Sequence, residues 1–198
     1  MSRRSNRILV FLGLVILYLG SLRDINSQSS GQVSALIGAM NSFDSFRANI
    51  TLNGSITGTL SYKKPGNLHI KFSDGRVISA NGKTLWFYSP ERGIAAKQDL
   101  KGYSSGIAGL VSGYEEVPGT GKNLKLKSST KRYSEISIAL NESNLPRSIR
   151  MKQLNSEEGT TEIIFSGIST NIGLSSSLFN FQPPASSLIV ENPLNQKE

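Results

Sequence analysis

The sequence predicts a mainly β fold of the α+β kind, a single curved antiparallel sheet built around a helix or two. Three observations predict it. One segment of helical period, Gly31 to Phe43, stands ahead of a long series of segments whose apolar residues recur every second position. Asn53-Gly54, Asp74-Gly75 and Asn81-Gly82 place three tight-turn pairs within thirty residues, the pattern of sequential strands in a meander. Strands do not alternate with helical segments, so the crossovers that a parallel sheet needs are missing.

At 198 residues the chain suits one domain with one core. Its first 27 residues read differently from the rest. Arg3, Arg4 and Arg7 precede the apolar run 8–22, the layout of a secretory signal. The run is short for a bilayer span, so the segment is either a cleaved signal, ending near Ser27, or an uncleaved inner-membrane anchor. The folded domain is then 28–198, exported to the periplasm or tethered facing it. Cysteine is absent, which excludes disulfides, thiolate chemistry and lipid attachment through a cysteine.

Val33, Leu36, Ile37, Met40 and Phe43 recur at steps of three and four, and predict an amphipathic helix that Ser29 or Ser30 could cap. Phe46, Ala48, Ile50 and Leu52 then alternate as a first strand. Asn53-Gly54 turns it into a second at 55–63, which Pro65-Gly66 ends. Leu68, Ile70 and Phe72 form a third, Val77 to Ala80 a fourth, Leu85 to Tyr88 a fifth and 92–98 a sixth. Between Asp99 and Gly119 the strand pattern fails. Gly102, Gly106, Gly109 and Gly113 space out Ile107, Leu110 and Val111 in a weakly helical stretch expected to cover the sheet. Strands resume at 123–129, 132–141, 146–154 and 159–167, with Ile136, Ile138 and Leu140 as the clearest alternating run. The Ser-rich pieces 27–30 and 175–177 read as linkers.

Few residues suggest reaction chemistry. His69, the one histidine, falls between Leu68 and Ile70 on the opposite strand face, a surface or mouth position. With no cysteine and no cluster of carboxylates near it, a metal site is not expected. Gly119-Thr120-Gly121-Lys122 only faintly echoes a phosphate loop, because Asn123 stands where Ser or Thr is needed. The net charge of +8 is scattered rather than patterned for nucleic acid. No enzyme and no cofactor are expected.

The stretch Leu85-Trp86-Phe87-Tyr88 is the strongest local signal. Alternation puts Leu85 and Phe87 on one face and Trp86 and Tyr88 on the other, so both faces need cover or a ligand, and either could look inward. With its surroundings, Asn81-Gly82-Lys83-Thr84-Leu85-Trp86-Phe87-Tyr88-Ser89-Pro90 resembles the Asp-Gly-Lys-Thr-Leu-Trp-Phe-Tyr-x-Pro signature of LolA-type carriers. Gly58 to Pro65 resembles that family's Gly-x-Leu-x-x-Lys-Arg-Pro strand end, and Phe43 to Ala48 its junction between helix and first strand. Phe179-Asn180-Phe181-Gln182-Pro183-Pro184 is similar to its closing Phe-x-Phe-x-Pro-Pro.

The resemblance implies an unclosed eleven-stranded antiparallel barrel with a helical or loop lid. It implies a monomer that accepts lipoproteins from an inner-membrane ABC transporter and hands them to an acceptor at the outer membrane, whose identity the sequence leaves open. On that reading Leu68, Ile70, Phe72, one face of Leu85-Trp86-Phe87-Tyr88, Ile136, Ile138 and Leu140 line an acyl-chain cavity, and Ile107, Leu110 and Val111 cover it. The family's lid-latching arginine falls on Lys64, a point charge where arginine offers a planar fork. The alternative is a second use of the same fold, binding or sensing a glycolipid or another amphiphile, with or without an inner-membrane tether.

Overall fold

The structure, a computed structural model, describes residues 31–100, 113–117, 121–154 and 159–193. It opens with helix α1 (Gly31–Asn41). Six strands follow: β1 (Ser45–Leu52), β2 (Ile56–Lys63), β3 (Asn67–Phe72), β4 (Val77–Asn81), β5 (Thr84–Ser89) and β6 (Ile94–Asp99). The second half contributes β7 (Glu115–Val117), β8 (Asn123–Lys127), β9 (Tyr133–Leu140), β10 (Pro146–Gln153) and β11 (Thr160–Thr170), and β12 (Leu188–Glu191) closes the chain. All belong to one sheet, ordered β12-β6-β5-β4-β3-β2-β1-β11-β10-β9-β8-β7.

The turn chemistry explains the meander. Asn53 and Gly54 both take positive φ, 49° and 69°, as the central pair of a tight turn closed by the Ser55 amide donating to the Leu52 carbonyl at 3.2 Å. Chain order then folds back on itself once: β11 pairs with β1, so the two halves of the sheet join through their first and eleventh strands. A bulge between Arg47 and Asn49 lies at this seam and adds local twist.

The edge strands β12 and β7 do not pair with one another, so the sheet is open. It nevertheless curls. Laid flat at ~4.8 Å per strand, such a sheet would be roughly 50 Å wide, whereas an eleven-residue helix is about 16 Å long. Yet Val33, Leu36 and Met40 of α1 share one core with residues of β1 to β5 and of β8 to β11. The helix also reaches both halves directly: the Gln32 side chain donates to the Gly121 carbonyl at 2.6 Å ahead of β8, and the Asn41 carbonyl accepts from Lys64 beside β2 at 2.8 Å, so the sheet curls toward it.

The described elements differ from expectation in four places. Twelve are present rather than eleven, because residues 188–191 add β12 to the free edge of β6, parallel to it. Within the stretch where strand alternation fails, Glu115–Val117 still pairs as β7 against β8. Ser175 to Ser177 are not a linker: the Ser175 hydroxyl accepts from the Ser177 amide and starts a 3-10 turn, Ser176–Phe179, which ends on buried Phe179. Helix α1 also stops at Asn41, two residues short of Phe43, whose ring stacks on Phe46 at 5.6 Å between centroids.

Candidate functional site

Antiparallel partners point to the same face, so the register alone maps the inner wall. One row runs Phe46, Tyr62, Leu68, Ala80, Leu85 across β1 to β5, and the next runs Ala48, Leu60, Ile70, Ile78, Phe87. A third row, Phe72, Gly58, Ile50, Phe165, crosses the seam. Beyond it Leu52, Ile163, Ile149, Ile138 and Leu124 continue the same face. All of these residues except Gly58 are buried apolar side chains. The result is one apolar surface that spans both halves of the open sheet.

The residues expected to line a cavity sort cleanly onto this map. Leu68, Ile70, Phe72, Leu85, Phe87, Ile136, Ile138 and Leu140 are all buried and belong to the shared core. Trp86 and Tyr88 are on the other side of the sheet, so the four aromatic and aliphatic residues do not share a wall. Each is half-buried there against the Phe181 ring, at 6.4 Å and 5.8 Å between centroids. The Lys97 ammonium lies 5.9 Å from the centre of the Trp86 ring. Two of the sequence motifs are thus physical partners: Phe181 of the closing motif covers the outer face of the signature strand.

That outer cover is a crossing segment, residues 172–187, fastened by polar contacts. Lys63 Nζ donates to the Leu174 carbonyl at 3.1 Å, and Ser79 Oγ donates to the Phe179 carbonyl at 3.3 Å. His69 is in the same outer row, opposite Ser61 on one side and Ser79 on the other. Its Nδ1 is buried without a hydrogen-bond partner, and burial, reinforced by the nearby Lys71 charge, holds its pKa below the ordinary histidine value.

Lys64 reaches helix α1. Its ammonium donates to the Asn41 carbonyl at 2.8 Å and lies 3.9 Å from the exposed Asp44 carboxylate, while its amide donates to the Asp44 carbonyl at 2.8 Å. A cation at this end of a helix meets carbonyls that lack intrahelical partners. The expected covering residues Ile107, Leu110 and Val111 lie outside the described residues, as does the segment 1–27. Among the described residues no helix is long and apolar enough to cross a membrane.

The faint phosphate-loop echo has a different explanation. Lys122 Nζ is held by the Asn141 and Glu142 carbonyls and the Glu142 carboxylate, at 3.3, 2.8 and 2.9 Å. Sequence reasoning also missed much of the wall. Ile149, Met151, Ile163 and Phe165 line it from β10 and β11, and their alternation in the sequence was the available signal.

The profile of the family described as "Outer membrane lipoprotein carrier protein LolA" matches residues 46–182. An "Outer-membrane lipoprotein carrier protein" of Coxiella burnetii is 26% identical, over 90% of this chain and 95% of its own length. A protein of the same description from Idiomarina loihiensis is 29% identical over 66% of this chain and 68% of its own. Among solved structures, an uncharacterized conserved protein from Thermus thermophilus superposes with a TM-score of 0.51 over 80% of this chain and 98% of its own, at 13% identity. That last likeness concerns the fold.

Proposed function

The chain belongs to the LolA family of outer-membrane lipoprotein carriers, and from that premise we propose that it is a periplasmic carrier that shields lipoprotein acyl chains against its inner wall and moves them from the inner to the outer membrane. The supporting observation is the continuous apolar face on an open sheet, covered among the described residues by one short helix.

The physical need is plain. Each methylene exposed to water costs about 0.8 kcal/mol, so an acyl chain of ordinary length carries a penalty on the order of ten kcal/mol across an aqueous gap. Leu68, Ile70, Phe72, Leu85, Phe87, Ile136, Ile138 and Leu140 offer hydrocarbon a surface of matching polarity. Release requires that the empty and loaded states differ by only a few kcal/mol, and the apolar side of α1 supplies the competitor. Val33, Leu36 and Met40 occupy the wall when no chain does. Lys64 acts as the latch that sets how readily α1 gives way. An inner-membrane ABC transporter is the donor in this scheme, and Ile107, Leu110 and Val111 add cover.

A photo-crosslinking residue tests the face directly. Placed at Phe72 or Phe87 it is expected to capture acylated lipoprotein released from inner membranes, and placed at Tyr88 it is expected to capture none. Equal capture from both faces, or capture from Tyr88 alone, would overturn the proposal. Depletion of the protein should also leave lipoproteins stranded in the inner membrane.

A further inference from the structure

The apolar wall carries two buried polar atoms that find no hydrogen-bond partner among the described residues. Glu116 is opposite Leu126, which is opposite Ile136, which is opposite Met151, so its side chain belongs to the inner face. Its Oε2 is buried and has no hydrogen-bond partner. Tyr133, 4% exposed and part of the same core, likewise has a buried hydroxyl with no partner. Both are at the β7–β9 end of the sheet. Tyr114, two residues before Glu116, packs on the core there with its hydroxyl near the Tyr133 main chain.

A lone carboxylate oxygen and a lone phenol in an apolar wall are costly unless something completes them. Each asks for a definite partner. The carboxylate accepts only, so it requires an N–H or O–H donor, and a cation best. The phenol can donate to an ester carbonyl.

Resting on the carrier function proposed above, we propose that Glu116 and Tyr133 form a polar subsite for the junction of an acylated ligand, with Glu116 receiving a primary ammonium and Tyr133 an ester carbonyl, while the chains lie against Leu126, Ile136 and Met151. The subsite makes the carrier selective for ligands whose amine is free. That chemistry has two sources, the unacylated amino terminus of a diacylated polypeptide and the headgroup of an amino phospholipid.

Displacement of a fluorescent apolar dye from the full chain tests this with two ligand pairs. One pair is a synthetic diacylated peptide with its amine free or acetylated, and the other is phosphatidylethanolamine beside phosphatidylcholine. The free ammonium is expected to bind about tenfold more tightly than its blocked counterpart in at least one pair, and which pair identifies the source. Glu116→Gln should erase that preference without weakening the acetylated peptide or phosphatidylcholine, and Tyr133→Phe should weaken both members of the preferred pair alike. Equal affinities within both pairs, or a preference that survives Glu116→Gln, overturn the subsite and leave the carrier function standing. Failure of every ligand to displace the dye overturns both.

Discussion

The Lys64 ammonium donates a 2.8 Å hydrogen bond to the main-chain carbonyl of Asn41, the last residue of α1, and so ties the tip of β2 to the end of the helix. The lysine is about one-third exposed and its carboxylate neighbour Asp44 almost fully so, which leaves the carbonyl contact as the stronger part of the tie.

Replacing this lysine should therefore loosen one end of α1 without disturbing the sheet. Lys64→Met is expected to cost about 1 kcal/mol, the usual worth of one hydrogen bond to a charged donor at a partly wet site. Hydrogen exchange at the amides of 37–41 should speed up while those of β3 and β4 stay protected. Lys64→Arg should slow the same amides, because a fork can engage the Asn41 carbonyl and the Asp44 carboxylate together. Unchanged exchange in the methionine variant would show that apolar packing alone holds the helix.

The outer face makes a separate prediction, read through the single tryptophan of the chain. Phe181 touches both Trp86 and Tyr88, so Phe181→Ala should free the crossing segment and wet the indole. The expected result is a red shift of tryptophan emission with a loss of roughly 1–2 kcal/mol, in keeping with removal of a half-buried ring. Capture of acylated cargo from an inner-wall position should survive. Loss of capture with unchanged emission would mean that the two faces are not independent.

Much of this arrangement was legible beforehand, and the reason is periodicity. Leu68, Ile70 and Phe72, or Ile136, Ile138 and Leu140, alternate so strictly that a one-residue slip would expose all of them. The three turn pairs then fixed the order of the meander. What alternation cannot supply is which face of a strand such as Leu85-Trp86-Phe87-Tyr88 looks inward, since both faces are apolar. That was decided by Phe181, nearly a hundred residues away. The same holds for β12 and β7, short strands whose pairing comes from their neighbours rather than their own residues. Glu116 and Tyr133 were illegible for a related cause: an unsatisfied atom is visible only once its surroundings are placed.

His69 gives the fold a pH dependence whose sign follows from burial. Its pKa is held below the unfolded value of about 6.5, so the folded state favours the neutral ring. The stabilisation is complete above that value and is lost as pH falls through it toward the folded pKa, because the unfolded chain takes up the proton first. Residues 171–190, which include the crossing segment, carry no acidic side chain that could pair with the imidazolium. Thermal melts of the wild type should fall between pH 7.5 and pH 5 more steeply than those of His69→Asn. Parallel slopes would mean that His69 gains its proton without cost.

Gly58 is the one glycine in the inner-face rows traced above, and its lack of a side chain has a mechanical reason. It is directly opposite Phe72, and a Cβ built on it would lie 2.8 Å from the Lys71 carbonyl oxygen and 3.2 Å from the Phe72 ring. The first contact is with backbone, which cannot swing aside as a flexible side chain can. Gly58→Ala should therefore push β2 and β3 apart locally and cost about 1–3 kcal/mol, the range for forcing atoms into a filled site. Gly58→Val should cost more. Because the displaced ring belongs to the inner wall, the alanine variant should also bind an apolar dye differently from the wild type at a temperature where both are folded. Urea melts read the first effect and dye titration the second. An alanine variant as stable as the wild type would show that the β2–β3 pairing has slack at this point, and that Phe72 is not held by its neighbour.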